Sequence, residues 1–178
     1  MSKRLTKVLA QNSVDTKGQA VDHAAKDRIG GKFLIFFLAG EEYGIQISKV
    51  QEIIGMLPTT QIPNMPAYFC GIINLRGKVI PIIDLRLKFG MKVKESTNET
   101  CIITIQNGNQ VMGFIADNVS NIIDIAAKDI DTPDLFEKRP FTNCLSGIGL
   151  PIGHLIFLLD IDKTLAALDV YFWLEKLS

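Results

Sequence analysis

The sequence predicts a mainly β protein with short helices, made of two related small barrels and a C-terminal helix. Short apolar segments alternate with glycine-containing turns along the chain, which is typical of small barrels. The second half of the chain also repeats features of the first half. In each half, an aspartate closes the last apolar strand and opens a helical pattern. With 178 residues, the chain is long enough for two small units packed together.

The first strands follow a polar N-terminal segment. Residues 1–31 are mixed in charge and predict a mobile tail that ends at Gly30 and Gly31. From Lys32, the segment KFLIFFL predicts a buried strand, AGEE a turn and YGIQI a second strand. Further on, TCIITIQ and VMGFIA predict two strands joined by NGN, because Asn-Gly between apolar segments is a strong hairpin signal.

An internal repeat appears in two pairs of segments. Tyr43–Ile54 (YGIQISKVQEII) matches Met112–Ile123 (MGFIADNVSNII) at 4 of 12 positions. Gly71–Leu85 (GIINLRGKVIPIIDL) matches Gly147–Ile161 (GIGLPIGHLIFLLDI) at 5 of 15 positions. Recurring turn glycines and apolar positions predict that one structural unit occurs twice.

The repeat predicts one barrel over residues 32–94 and a second barrel over residues 99–160. It also bears on the segment ISKVQEII, whose capping-box pattern would suit a helix start. The matching segment of the second half fits a strand better. We therefore expect a short turn followed by a strand, with Val50, Glu52 and Ile54 on one face.

Two helices are predicted where an aspartate follows an apolar strand. Asp84 and Asp160 are expected to cap helices, because an aspartate at this position accepts bonds from the first free N–H groups. The first helix would be the short segment LRLKF. The second would run over residues 161–177 and pack on a barrel through an apolar stripe, formed by Leu165, Leu168, Phe172 and Leu174.

Two charges distinguish the first half from the second. The dipeptide Arg76-Gly77 separates two apolar segments, and this pattern predicts a tight hairpin with the arginine at its tip. In the repeat, Arg76 matches Ile152 and Glu52 matches Asn121, so folding of the barrel does not require these charges. A guanidinium on a rigid turn suits partner recognition. The alternative, that both are ordinary solvated charges, stays open at this point.

Catalytic and metal-binding motifs are missing from the sequence. His23 and His154 are isolated, and the three cysteines, Cys70, Cys101 and Cys144, are far apart in apolar segments. This composition predicts no metal site, no catalytic residues and no cofactor. The 19 basic and 19 acidic residues balance, which argues against a nucleic-acid partner. No apolar run is long enough for direct insertion into a membrane.

Three classes of function remain to be compared. A binding scaffold needs exposed apolar patches. A small-molecule binder or enzyme would use the cleft between the barrels, and would need converging polar groups and a perturbed acid or base. A single-stranded nucleic-acid binder would need aromatic residues among lysines, and the sequence shows no such pattern.

The segments GEEYGIQISKVQEI and GIINLRGKVIPIIDLRLKFG resemble the CheW family of bacterial chemotaxis adaptors. The resemblance implies two SH3-like, five-stranded β-barrels around a shared core, without catalytic activity. It also implies a cytoplasmic scaffold, associated with the membrane through receptor arrays. Such a scaffold couples the cytoplasmic hairpin tip of chemoreceptors to the regulatory domain of the histidine kinase CheA.

The resemblance also implies two sets of site residues. The receptor-binding set follows the motif: Val50, Glu52, Ile53, Leu75, Arg76, Cys101, Ile102 and Gly113. The kinase-binding set lies at the rims of the second barrel: Val119, Ile122 and Ile148. Glu52 and Arg76 match a charged pair of the family, and we hypothesise that they interact and that Glu52 orients the arginine.

Overall fold

The computed structural model describes residues 30–131, 139–169 and 175. Within residues 30–131 and 139–169 the chain forms eleven strands, two short α-helices and four 3₁₀ turns. The strands are β1 Gly31–Leu38, β2 Glu41–Gln46, β3 Val50–Gly55, β4 Phe69–Leu75, β5 Lys78–Ile83, β6 Cys101–Asn107, β7 Gln110–Ala116, β8 Asn118–Ile125, β9 Ile130–Asp131, β10 Leu145–Gly149 and β11 Ile156–Leu159. The helices are α1 Leu85–Lys88 and α2 Ile161–Ala166, and the 3₁₀ turns are Ile47–Lys49, Ala127–Asp129, Thr142–Cys144 and Pro151–Gly153.

The strands form two sheets, and each sheet takes strands from both halves of the chain. Sheet A has the order β8-β1-β2-β11-β10-β9, and sheet B has the order β3-β6-β7-β5-β4. The assignment of one barrel to residues 32–94 and the other to residues 99–160 therefore needs correction, because the hairpins β1–β2 and β6–β7 are exchanged between the halves. A sequence repeat identifies equivalent strands, but it does not determine which copy they pair with. Sheet A also has a sixth strand, the two-residue β9.

The two sheets are pseudo-symmetric at the level of single residue pairs. The parallel pair β5–β7 places Ile82 opposite Gly113, and the parallel pair β11–β2 places Leu158 opposite Gly44. A Cβ on Gly113 would lie 2.7 Å from Ile82 Cδ1, and a Cβ on Gly44 would lie 2.9 Å from Leu158 Cδ2. Both glycines are therefore required by the same close approach, and the repeat predicted from sequence is confirmed in the backbone.

The residues that the structure describes form three apolar clusters, of which one joins the two sheets. Each sheet curves around its own interior cluster, as in a small barrel. In sheet B this cluster is Ile73, Ile80, Ile82, Ile102 and Ile115, and in sheet A it is Phe33, Ile35, Ile125, Ile130, Ile156 and Leu158. The third and largest cluster joins residues of both sheets and includes Phe36, Tyr43, Phe114, Phe141 and Phe157. The shared core is thus present in the structure.

The helix caps match the sequence predictions, and the length of the C-terminal helix does not. Asp84 accepts a hydrogen bond from the N–H of Arg86, and Asp160 accepts one from the N–H of Lys163. A single helix over residues 161–177 is wrong, because α2 ends at Ala166 and a turn with Asp169 at φ 48° follows. Aspartate tolerates this left-handed conformation better than most residues.

Parts of two predictions lie outside the described residues. These are the N-terminal tail up to residue 29 and most of the chain after Asp169. Among the residues that the structure describes, no helix is long and apolar enough to cross a membrane.

A buried ion-pair network connects the two sheets. Arg86, 3% exposed, contacts Asp84 through Nη2 and Oδ2 at 2.7 Å, and Asp117 through Nη1 and Oδ1 at 2.6 Å. The other oxygen of Asp117 accepts a hydrogen bond from the N–H of Ala39 at 2.6 Å, in the β1–β2 turn. Helix α1, which follows β5 of sheet B, is therefore connected to a hairpin of sheet A.

Candidate functional site

The β4–β5 turn presents Arg76 at its tip, as the sequence predicts. Arg76 has φ 52° and Gly77 has φ 81°, and positive φ at both central residues is the geometry of a type I′ hairpin turn. The side-chain oxygen of Asn74 accepts a hydrogen bond from the N–H of Gly77 at 2.9 Å. The left-handed conformation is unusual for a residue with a side chain, so the turn holds Arg76 in a defined position.

Arg76 forms a two-pronged ion pair with Glu52 on β3. Arg76 Nη1 lies 2.9 Å from Glu52 Oε1, and Nη2 lies 3.0 Å from Oε2. The hydrogen bond with Glu52, together with its negative charge, raises the pKa of Arg76. The Arg76 side chain remains 73% exposed, while that of Glu52 is 26% exposed. The hypothesis that these two residues interact is confirmed, and the guanidinium is held in place while most of its surface faces solvent.

A β-bulge on β3 directs Glu52 toward this pair. Val50 lies opposite Ile105 and Glu52 lies opposite Thr104, with a register shift between them. Val50 packs on the shared core, whereas Ile54 packs on the interior cluster of sheet B. The prediction that Val50, Glu52 and Ile54 share one face is therefore corrected, because the inserted residue reverses the alternation.

Most of the residues assigned to receptor binding have accessible surface. Ile53, next to Glu52, is 44% exposed. Val50, Leu75 and Cys101 are half-buried. Val50 and Ile53 lie opposite Ile105 and Ile103 on β6, so they are on the other face of the sheet from Glu52. The name Glu52–Arg76 surface is therefore used for Glu52, Arg76 and Leu75, which packs on the interior cluster of sheet B.

Ile102 and Gly113 do not belong to this surface. Ile102 has no exposed surface, and Gly113 is buried against Ile82 and Ile102. Both were selected by matching a motif, and a motif match carries no information about burial. Their role in this structure is to pack the barrel, and their assignment as contact residues needs correction.

A second exposed surface lies on sheet A, at the position equivalent to the Arg76 turn. Ile152 and Gly153 have φ 54° and 78°, close to the values at Arg76 and Gly77. A β-branched residue is strained in this conformation. The Ile152 side chain is also 54% exposed. The exposed apolar side chains in and beside this turn define the Ile152 surface: Leu150, Ile152 and Leu155.

The residues assigned to kinase binding lie on strands β8 and β10 and not in the Ile152 turn. Ile122 is 49% exposed. Val119 is half-buried and packs on the shared core. Ile148 is 2% exposed, so its assignment as a contact residue needs correction. It lies in β10 and contributes to the shared core.

The cysteines show the chemistry of packing residues. Burial raises the pKa of Cys70 to about 11 and also raises the pKa of Cys101 and Cys144. A thiol that keeps its proton at neutral pH is a poor nucleophile. Within residues 30–131 and 139–169, no three His, Cys, Asp or Glu side chains form a group that could hold a metal ion.

Sequence reasoning missed Thr104. Its hydroxyl accepts a hydrogen bond from the N–H of Glu52 at 3.1 Å and donates one to the carbonyl of Glu52 at 3.0 Å. Extending the repeat to the first strand of each half pairs Thr104 with Ile35. That contrast, a hydroxyl in one half against an apolar side chain in the other, is the sequence signal that could have identified it.

Two pseudo-symmetric barrels that share a core and expose an ion pair and apolar side chains fit the class of protein-binding scaffolds. Comparisons with known proteins also identify a scaffolding protein. The family model described as the CheW-like domain matches residues 32–169, and the chain belongs to the CheW family of chemotaxis coupling and scaffolding proteins, which are not enzymes.

The similar proteins come from diverse bacteria. The chemotaxis protein CheW of Klebsiella aerogenes is 39% identical over 147 residues, covering 83% of this chain and 89% of that protein. The CheW of Rhizobium meliloti is 39% identical and covers 75% of this chain and 87% of that protein. The crystal structure of the scaffolding protein TtCheW from Thermoanaerobacter tengcongensis matches with a TM-score of 0.69 and 33% identity, over 74% of this chain and 85% of that chain.

Proposed function

We propose that the Glu52–Arg76 surface binds the cytoplasmic hairpin tip of a chemoreceptor. The observation that carries this proposal is the two-pronged ion pair, which fixes an exposed guanidinium at a rigid turn. Leu75, which precedes Arg76 in the chain, is half-buried and adds apolar area. A helical hairpin offers carboxylates and apolar side chains at helical spacing, which suits such a surface.

The Ile152 surface is the proposed contact for the regulatory domain of a CheA-type kinase. It occupies the equivalent turn of the other sheet, so the two partners bind at separate places on one scaffold. Its three exposed apolar side chains, Leu150, Ile152 and Leu155, are typical of a protein-binding patch. Simultaneous binding of both partners would couple them and recruit the protein to receptor arrays at the cytoplasmic face of the membrane.

The equivalence of the two turns provides an experiment in which each variant is the control for the other. Arg76→Ala and Ile152→Ala are tested for capture of a receptor hairpin fragment and of a CheA regulatory domain. We expect Arg76→Ala to lose capture of the receptor fragment and keep capture of the kinase domain. Ile152→Ala is expected to show the opposite result.

The outcomes separate the two assignments. If wild type captures neither partner, the proposed coupling function is wrong. If Arg76→Ala loses both partners together, the two surfaces are not independent, and the assignment of one partner to each surface is overturned.

A further inference from the structure

Thr104 is a polar residue placed where an apolar one would pack. It lies on β6, two residues after Ile102, and is fully buried on the side of the sheet that forms the interior cluster of sheet B. A buried hydroxyl costs free energy unless it finds hydrogen-bond partners. Here the hydroxyl bonds the backbone of Glu52 twice, at 3.1 Å from its N–H and 3.0 Å to its carbonyl.

These two hydrogen bonds act at the β3 bulge. The register pairs Val50 with Ile105 and Glu52 with Thr104, so Gln51 has no partner on β6. In a regular strand Glu52 would point to the same face as Val50. The inserted residue turns Glu52 to the face of Thr104, and bulges are sites where the ladder is locally disrupted. The Thr104 hydroxyl bonds both the N–H and the carbonyl of Glu52, and it thereby holds the backbone in the bulged conformation.

The equivalent bulge in sheet A forms without such a hydroxyl, so a bulge alone does not require it. Thr104 lies opposite Gly113 in sheet B, and Ile35 lies opposite Gly44 in sheet A. The pairing of β1 with β8 also contains a bulge, between Leu34 and Phe36. An isoleucine therefore suffices beside that bulge, where Asn121 stands in place of glutamate. Of the two equivalent positions, the threonine occupies the one in the sheet that carries the ion pair.

We propose that Thr104 is a positioning residue for partner recognition, because its hydroxyl fixes the backbone of Glu52 and thereby orients Arg76. The consequence for binding rests on the proposed receptor function of the Glu52–Arg76 surface. The consequence for Glu52 and Arg76 themselves is independent of any partner and is measured on the protein alone.

The test compares Thr104→Val, which removes the hydroxyl at nearly constant shape, with Thr104→Ser, which keeps it. Thr164→Val is the matched control, because Thr164 is also buried and its hydroxyl donates to a backbone carbonyl, that of Asp160, at 2.7 Å. NMR measures hydrogen exchange at the Glu52 amide and hindered rotation of the Arg76 guanidinium. Titration with a receptor hairpin fragment measures affinity.

We expect Thr104→Val to accelerate exchange at the Glu52 amide about fivefold, the equivalent of one ordinary hydrogen bond. It should also free the rotation of the Arg76 guanidinium and weaken receptor binding by a similar factor. Thr104→Ser and Thr164→Val should behave as wild type in all three measurements. Thr104→Ala, a smaller variant without the hydroxyl, should behave as Thr104→Val does.

Unchanged exchange at Glu52 and unchanged guanidinium rotation in both hydroxyl-free variants would overturn the proposal. Thr104→Ser behaving as Thr104→Val would overturn it as well, since shape and not the hydroxyl would then matter. If wild type fails to bind the receptor fragment, the proposed function fails, while the two NMR measurements still decide the role of Thr104.

Discussion

An exposed arginine recognises a partner best when its guanidinium is already oriented. A free arginine side chain carries about 2 kcal/mol of rotamer entropy, part of which is lost on binding. In this chain the turn fixes the backbone of Arg76 at φ 52°, and Glu52 fixes the guanidinium with two bonds. Pre-organisation of this kind lowers the entropic cost of association. The equivalent Ile152 is uncharged, so this turn exposes apolar area and not an oriented charge.

Substitution of Gly113 tests the close packing between the parallel strands β5 and β7. Gly113→Ala places a methyl group 2.7 Å from both Ile102 Cγ2 and Ile82 Cδ1. We expect the free energy of unfolding to fall by about 1–3 kcal/mol, because an overpacked core must shift its neighbours. Urea denaturation measures the change.

Gly55→Ala is the control for this prediction. No atom lies within 4 Å of a Cβ built on Gly55, so its effect should stay within about 0.5 kcal/mol. Equal effects of the two substitutions would show that the loss of glycine, and not the contact with the isoleucines, determines stability.

At the scale of elements, local signals were enough to predict the strands and turns. The hairpins at Arg76-Gly77 and at the Asn-Gly turn form as predicted, because turn residues and strand alternation act over a few neighbouring positions. The caps at Asp84 and Asp160 form for the same reason. The exchange of hairpins, the bulge on β3 and the early end of α2 depend on contacts across the fold, and a sequence pattern does not contain them.

For the candidate site, too, the sequence predicted some features and not others. Comparison of the two repeats singled out Glu52 and Arg76, because a charge present in one half alone is not needed for folding. Their ion pair could be proposed from sequence, while its geometry could not. Ile102 and Gly113 were assigned by motif match and Ile148 by its expected place at a barrel rim, and all three are buried. Burial depends on which strands pair, and the exchange of hairpins was not visible in the sequence.

At the scale of the whole molecule, the buried Arg86 network joins the two barrels. Sheet B occupies a continuous stretch of the chain, residues 50–116, between the strands of sheet A. Arg86 and Asp117 connect the helix after β5 to the turn between β1 and β2. In the other half, Asp162 is the residue that the repeat matches with Arg86, and it forms an exposed ion pair with Lys49 at 3.1 Å. The relative placement of the Glu52–Arg76 surface and the Ile152 surface depends on such connections.

Removing the cation should lower the free energy of unfolding more in the buried Arg86 network than in the exposed Lys49–Asp162 pair. Arg86→Met leaves Asp84 and Asp117 with uncompensated charges, so the free energy of unfolding should fall by about 3–5 kcal/mol. Lys49→Met breaks an exposed pair and should cost no more than about 1 kcal/mol. Chemical denaturation of both variants measures the difference. Similar small losses in both would show that the buried network does not hold the barrels together.

The central claim is that Arg76, oriented by Glu52, is the contact that binds the receptor. The most direct measurement is a calorimetric titration of a receptor hairpin fragment into wild type, Arg76→Ala and the exchanged pair Glu52→Arg with Arg76→Glu. We predict that Arg76→Ala weakens binding at least about tenfold, as expected for a central arginine. The exchanged pair should not restore affinity, since the guanidinium then projects from β3. Wild-type affinity in Arg76→Ala would contradict the claim, because binding would not depend on the guanidinium at the hairpin tip.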